Sequence, residues 1–543
     1  MRIDAIFTDL DARTLDPARP RATKIGVFGG RIIGFDEELE GIDADRVESL
    51  GGATVLPGFN DVHCHTAWFG LTLASIDVTA LPGGLDEVYA ALETAAATTP
   101  AGEWINATGY AHRDYDGQYP DLARLDEITG DRPLFMRQTS GHAAIVNTEA
   151  MRRAGILAPD FTEPVGGKVV RDAAGHPTGL LEETAQELVQ NLIRPYSIDT
   201  IVDALDLATA HYAKEGITSF GECGIAYGWI GHSPIEISAY LAAREQGKLR
   251  ARAQLLPQAD GLHAIAANSA DGFGIGLDAG LRTGLGDELL SIGPVKFFMD
   301  GAMSGETAAL RENYAGKDHP GYLQADAAEL RRQILDTYAS GWSLAVHAIG
   351  DAAVDAAVAN IVDAQNRYGR RAVPNRIEHA GLVHEEHLRT LAENGIVVTP
   401  QAAFAEGIGD GMNRSVGPDR RQLIYRAKSF IDAGVILAGS SDRPCADGNV
   451  LRGIEAFVTR ATREGDVMGS AAECLSPDEA IAAYTKVAAI GSGQGADKGT
   501  LSRGKLADFV ALDAHPAEVA PTEIAQIPVR ATVLGGEFTH DAR

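Results

Sequence analysis

Residues 376–401 read RIEHAGLVHEEHLRTLAENGIVVTPQ. RIEHAG has the look of a short strand. HEEHLRTLAENG follows, with apolar positions at helical spacing and a stop at Gly395. A second apolar run, GIVVTPQ, comes next. Strand, helix and strand in that order make a β-α-β unit, whose two strands lie parallel.

The same alternation extends on both sides. Strand candidates are ITSFGE (217–222), SIGPVKFFMDG (291–301), SLAVHAIG (343–350) and VILAGSSD (435–442). AAELRRQILDTYASG repeats the helical spacing and ends at Gly341. Repeated β-α units over this length predict an α/β fold built on a (β/α)8 TIM-like barrel. Residues 77–190 fit the alternation less well and read as an insertion. The first 55 residues and the far C-terminus carry short, Gly-punctuated β runs, KIGVFGGRIIGFD and VRATVLGGEF among them. Neither end can bury a core alone. The expected organisation is a composite β-sandwich domain from 1–56 plus 500–543, beside a barrel spanning 57–499.

The chain has 543 residues, 45% of them apolar, which is ample for a large core. Its 47 basic and 75 acidic residues leave a net charge of −28. Such a surface argues against nucleic acid and against anionic membranes as partners. Four scattered cysteines, Cys64, Cys223, Cys445 and Cys474, form no disulfide framework. MRIDAIFTDL lacks the basic and apolar regions of a signal peptide, and no apolar run is long enough to span a bilayer. A cytoplasmic protein acting on a small molecule is the expectation.

A barrel carries its chemistry at the C-terminal ends of its strands. Those ends hold His63 and His65 in DVHCHT, Lys296 in GPVKFFMDG, His347 in AVHAIGD, His379 in IEHAG and Asp442 in GSSDRP. Side chains two apart on a strand share a face, so His63 and His65 make half of a metal site. One histidine in an apolar run is usually a buried structural residue. Five such runs meeting at one mouth make a constellation.

PGFNDVHCH, VKFFMDGAMSGETAAL, VHAIGDAAVD, RIEHAGLV, SSDRP and KGTLSRGKLADFVALD resemble the metal-dependent amidohydrolase superfamily. Within it they resemble the YtcJ-like branch, which includes N-substituted formamide deformylase. FMRQTSGHAAIVNTEAM and GHPTGLLEETA extend the resemblance through the middle of the chain. It implies that His63, His65 and Asp442 hold one metal and that His347 and His379 hold a second. Lys296, carboxylated by CO2, would bridge the two. A lysine attacks CO2 only as the neutral amine, a form that burial favours. Zinc is the implied metal, with iron or manganese open. The implied reaction is hydrolysis of an amide-type C–N bond by an activated water. Asp442 would take the water's proton and pass it to the leaving nitrogen. A homodimer is the family-level expectation.

Further candidates surround this set. His142 in SGHAAIVN is expected to touch substrate and assist catalysis; Asp300, Glu306 and Trp68 are expected to line the substrate site. Asp61 could orient an imidazole, Asn147 reads as a turn anchor, and Glu183 reads as an exposed helix residue. Two departures from the branch bear on substrate: Glu306 precedes Thr307 where Ser-Arg-Thr is common, and Ala352 stands where arginine is common. Both favour a neutral or cationic substrate. The Gly-rich loop 402–421 is expected to shape the pocket. Two other readings compete. A deaminase of the same superfamily would place a glutamate near the third histidine and lack the bridging lysine; here the reverse holds. An inactive scaffold would have lost ligands, and all six are present.

Overall fold

The computed structural model describes residues 2–138, 143–164, 167–228, 230–303 and 305–543. The chain forms two compact units. One is Met1–Thr66 with Thr209–Arg543, and the other is Ala67–Ala208.

In the first unit, eight terminal strands form one sheet. Its centre is the long strand Asp43–Pro57, parallel to Arg2–Arg13 on one side and antiparallel to Phe509–Leu512 on the other. The two ends of the chain thus complete each other's hydrogen bonding. Phe7 meets Phe509 edge-on at 4.9 Å between ring centres, inside a core that includes Ala5, Val55 and Val533.

Two parallel four-stranded sheets carry the rest of this unit. The first runs Leu290–Ile292, Arg252–Pro257, Ile217–Ile225, Phe59–Cys64. The second runs Val295–Phe298, Leu344–Ala348, Arg376–His379, Val397–Thr399. Helices Ala327–Ala339, Asp351–Tyr368 and Glu385–Asn394 make the crossovers in the second sheet. A parallel bridge, Gln258 to Lys296, links the sheets on one side. On the other, 435–440 is held by bridges Val398–Leu437 and Gln401–Ser440, and Val62 N–H donates to the Gly439 carbonyl. This segment makes bridges rather than a regular strand. The strands Phe59–Cys64, Leu344–Ala348 and Arg376–His379 are buried along their whole length. Strands covered on both faces are normally apolar throughout. Each polar residue in them therefore needs a specific partner.

Glu222, on Ile217–Ile225, is one such residue. It accepts the Thr66 N–H at 2.6 Å, and burial pushes its carboxyl up to about 8. The folded chain therefore keeps a proton that the unfolded chain, titrating near 4.5, gives up. Stability falls as pH rises between those values. Glu222→Gln should remove that slope, gaining a few kcal/mol on the wild type between pH 5.5 and 8.5 in urea unfolding. Identical slopes would show that Glu222 is ionised in the fold.

The second unit has a six-stranded sheet, Gly167–Arg171, Pro177–Glu183, Ala143–Val146, Leu134–Gln138, Ile105–Tyr110, Ile76–Asp77, flanked by helices that include Gly84–Thr98. It is wider at both ends than the 77–190 segment that breaks the alternation. Asn147 caps the Thr148–Arg153 helix through the Ala150 N–H and also accepts the Leu134 N–H at 2.9 Å. It is the turn anchor that its sequence context suggests.

Candidate metal centre

The strands of the first unit bring together His63, His65, Lys296, His347, His379 and Asp442. All six are buried. Asp442 Oδ1 lies 2.9 Å from His65 Nε2 and 3.3 Å from His63 Nε2. Lys296 Nζ lies 3.4 Å from His63 Nε2. The His63 and His379 ring centres are 5.1 Å apart, and those of His347 and His379 4.5 Å. His63, His65 and Asp442 converge closely enough to share one cation.

The surroundings of the imidazoles test whether they suit a metal. Three give one ring nitrogen to an acceptor: His65 Nδ1 to the Cys223 carbonyl at 2.8 Å, His347 Nε2 to the Gly301 carbonyl at 3.0 Å, His379 Nδ1 to Gln401 Oε1 at 2.7 Å. Gln401 donates its own N–H groups to the Thr399 carbonyl and Ser440 Oγ, which fixes its amide orientation. His63 Nδ1 lies 2.6 Å from Glu378 Oε2. An acceptor on one nitrogen leaves the other as a lone-pair donor, the arrangement of metal-binding histidines. Burial, with His347 beside it, holds His379 well below the usual histidine range, and burial lowers His65 as well. Burial also acts on Asp442, but His63 and His65 outweigh it and hold the carboxyl well below its usual range. Burial works against a proton on His63, yet Cys223, Glu378 and Asp442 hold its pKa well above the ordinary value. The lowered imidazoles of His65 and His379 and the Asp442 carboxylate, in a nest whose acidic groups draw positive charge to His63, fit a divalent cation.

Backbone geometry adds to this. His379 and Asp442 both adopt left-handed φ, 69° and 60°. Non-glycine residues take that conformation rarely, and strain of this kind concentrates at functional sites.

Several predicted residues have other roles. Asp300 is 1% exposed and its carboxylate accepts N–H groups from Ala309, Ile349 and Gly350. It pins the loop after one strand to the loop after the next, and lies 3.4 Å from His347 Nε2. Asp61 touches no imidazole through a hydrogen bond; it accepts the backbone N–H groups of His63 and Ser441 and the Ser441 hydroxyl. It thereby ties the His63 strand to the Asp442 loop. Glu306 is partly exposed, with Lys317 Nζ at 3.5 Å, so its charge is matched within the chain. Trp68 belongs to the second unit, where it lies under the Arg137 guanidinium at 4.5 Å. His142 lies outside the described residues, as does the Glu183 side chain.

Sequence reasoning missed Arg376, Glu378, Gln401 and the Arg443–Glu215 pair. Arg443 follows Asp442 and makes two contacts to Glu215, at 2.7 and 2.9 Å. The available signal was Arg376 and Glu378 two apart on a four-residue strand, hence on one face and in need of partners.

The family model described as "Amidohydrolase family" matches residues 46–540. The chain belongs to the amidohydrolase family. It is 28% identical to YtcJ of Bacillus subtilis over 497 residues, covering 91% of this chain and 90% of that one. It is also 28% identical to N-substituted formamide deformylase of Arthrobacter pascens over 557 residues, covering 99% and 98%. Among solved structures it superposes on an uncharacterized metal-dependent hydrolase of Pyrococcus horikoshii with a TM-score of 0.77 at 22% identity, covering 95% of this chain and 99% of that one. That likeness shows an amidohydrolase-type α/β fold.

Proposed function

We propose that this amidohydrolase cleaves the amide C–N bond of an N-formyl or other N-acyl amine, or of a cyclic amide. The observation that carries the reading is the buried cluster of four imidazoles around Asp442 and Lys296, three of them hydrogen-bonded through one nitrogen and the fourth, His63, in contact with Glu378. The relationship to a formamide deformylase supports the same bond.

His63, His65 and Asp442 would hold one divalent ion and His347 and His379 another, with zinc the best match to these ligands. Lys296 would bridge them as a carbamate: its neutral amine attacks CO2, the new N–C bond forms, and a proton leaves. When bound there, divalent ions would supply the Lewis acidity that activates a water and the scissile carbonyl. Asp442 accepts the proton from that water at its carboxylate and delivers it to the departing nitrogen, which leaves as a neutral amine. Asp61, Arg443 and Asp300 hold the ligand-bearing loops still while this happens.

With Leu290–Ile292 and Val295–Phe298 taken as two pieces of one strand, the two parallel sheets and the 435–440 segment make eight and are read as one closed (β/α)8 barrel, supported by the bridges that run from strand to strand around the set. The terminal sheet is read as a sandwich-like domain closed over its own core.

A panel of N-formyl amines, N-acetyl amines, lactams, hydantoin-like rings and amino-heterocycles tests the substrate class. Amine release from formyl or acyl substrates is expected. Ammonia release from amino-heterocycles alone would overturn amide hydrolysis in favour of deamination.

A further inference from the structure

We propose that Glu378 is the positioning residue for His63, and through it sets how tightly the His63–His65–Asp442 corner holds its cation. This rests on the metal-centre reading above.

Glu378 is fully buried. A lone carboxylate is expensive to bury, so its partners define its purpose. Arg376 is the first: its Nε and Nη2 both donate to the Glu378 carboxylate, Nη2 at 3.1 Å. Thr399 Oγ1 donates to Oε2 at 2.9 Å. Arg376 is itself anchored, donating from Nη2 to the Val62 carbonyl at 2.8 Å and to Cys223 Sγ at 3.3 Å. These bonds join the strands Arg376–His379, Val397–Thr399, Phe59–Cys64 and Ile217–Ile225, and they leave Glu378 no freedom to swing.

Held there, Oε2 sits 2.6 Å from His63 Nδ1. The contact is short but off the N–H axis, so His63 Nδ1 has no aligned hydrogen bond. Such bonds often tighten only when a site is loaded. The contact puts the proton of the neutral ring on Nδ1 and turns the Nε2 lone pair toward Asp442 and Lys296. A carboxylate behind an imidazole also makes the opposite nitrogen a stronger donor than a neutral acceptor does.

Among the described residues, the Glu378 side chain contacts His63 and no other of the four histidines; a second carboxylate, Asp300, lies 3.4 Å from His347 Nε2. The backing acceptors of His65, His347 and His379 are a carbonyl, a carbonyl and an amide oxygen. The effect of Glu378 is therefore confined to one corner of the site. The His347–His379 pair does not share it.

The test is a titration of chelator-stripped full-length protein with zinc against a competing chromophoric chelator, repeated with cobalt to follow its visible spectrum. In Glu378→Gln the wild-type shape remains and the charge goes. The expected result is one binding event weakened about 10- to 100-fold, the other unchanged, and an altered cobalt spectrum. Should the wild type hold a single cation, that event must weaken by the same factor. Because Glu378→Gln leaves Arg376 buried without its ion pair, the double variant Arg376→Met/Glu378→Gln is titrated in parallel, with the melting temperature of each metal-free protein. It should fold and show the same selective loss. Equal weakening of both events would mean general damage and overturn the assignment. Unchanged affinity in a folded variant would overturn it too. If the wild type binds no cation, the metal-centre reading falls and this inference with it; if it binds cations that Glu378→Gln does not disturb, only the role of Glu378 falls.

Discussion

Asp442→Asn should lower kcat/KM by at least about 1000-fold while leaving the chain folded. Asp442 is 7% exposed, with Oδ1 against both His65 and His63. Asparagine has the same shape and tolerates the left-handed backbone, φ 60°, better than most residues, so the loop survives the change. The amide cannot accept the water's proton, and it is a poorer metal ligand than a carboxylate. Loss of the proton acceptor alone accounts for roughly 100- to 10,000-fold. Steady-state turnover of an N-formyl amine measures the loss. A variant that turns over at the wild-type rate would remove Asp442 from the chemistry.

Lys296→Ala should cost more than about 100-fold in turnover, with no recovery on adding bicarbonate. Lys296 is 1% exposed, between His63 and the face of Phe298, which lies 4.9 Å away. Among the described residues no carboxylate forms an ion pair with it; Asp300 is occupied by three backbone N–H groups. Carboxylation would turn this buried amine into an anionic oxygen donor beside His63. In the wild type, reloading stripped protein with zinc should therefore be slow in CO2-depleted buffer and fast with bicarbonate. Reloading indifferent to CO2, with full activity in Lys296→Ala, would exclude the carbamate.

The metal-ligand candidates were legible because strand periodicity is strict. His63 and His65 share a face by their spacing alone, and apolar runs around Lys296, His347 and His379 announce burial. What sequence could not show is which way a carboxylate turns. Asp300 looks like a pocket residue beside a glycine, yet three N–H groups claim it. Glu378 looks like an ordinary charge beside His379, yet it backs a histidine from another strand. Residues 402–421 read as a loop because Gly407, Gly409 and Gly411 each weaken a helix. They nevertheless include the helix Phe404–Val416. Phe404, Ala405, Met412 and Val416 are buried in one apolar cluster, and that packing overrides the glycine penalty. The segment 435–440 shows the opposite case: an apolar run that reads as a strand makes two bridges on one side and a hydrogen bond from Val62 on the other without becoming regular.

Metal content per chain, by elemental analysis of wild type and Lys296→Ala after identical zinc loading, tests the binuclear centre most directly. Two ions in the wild type, falling to one or none in the variant, is the predicted result. One ion in both proteins, or none in either, would contradict it.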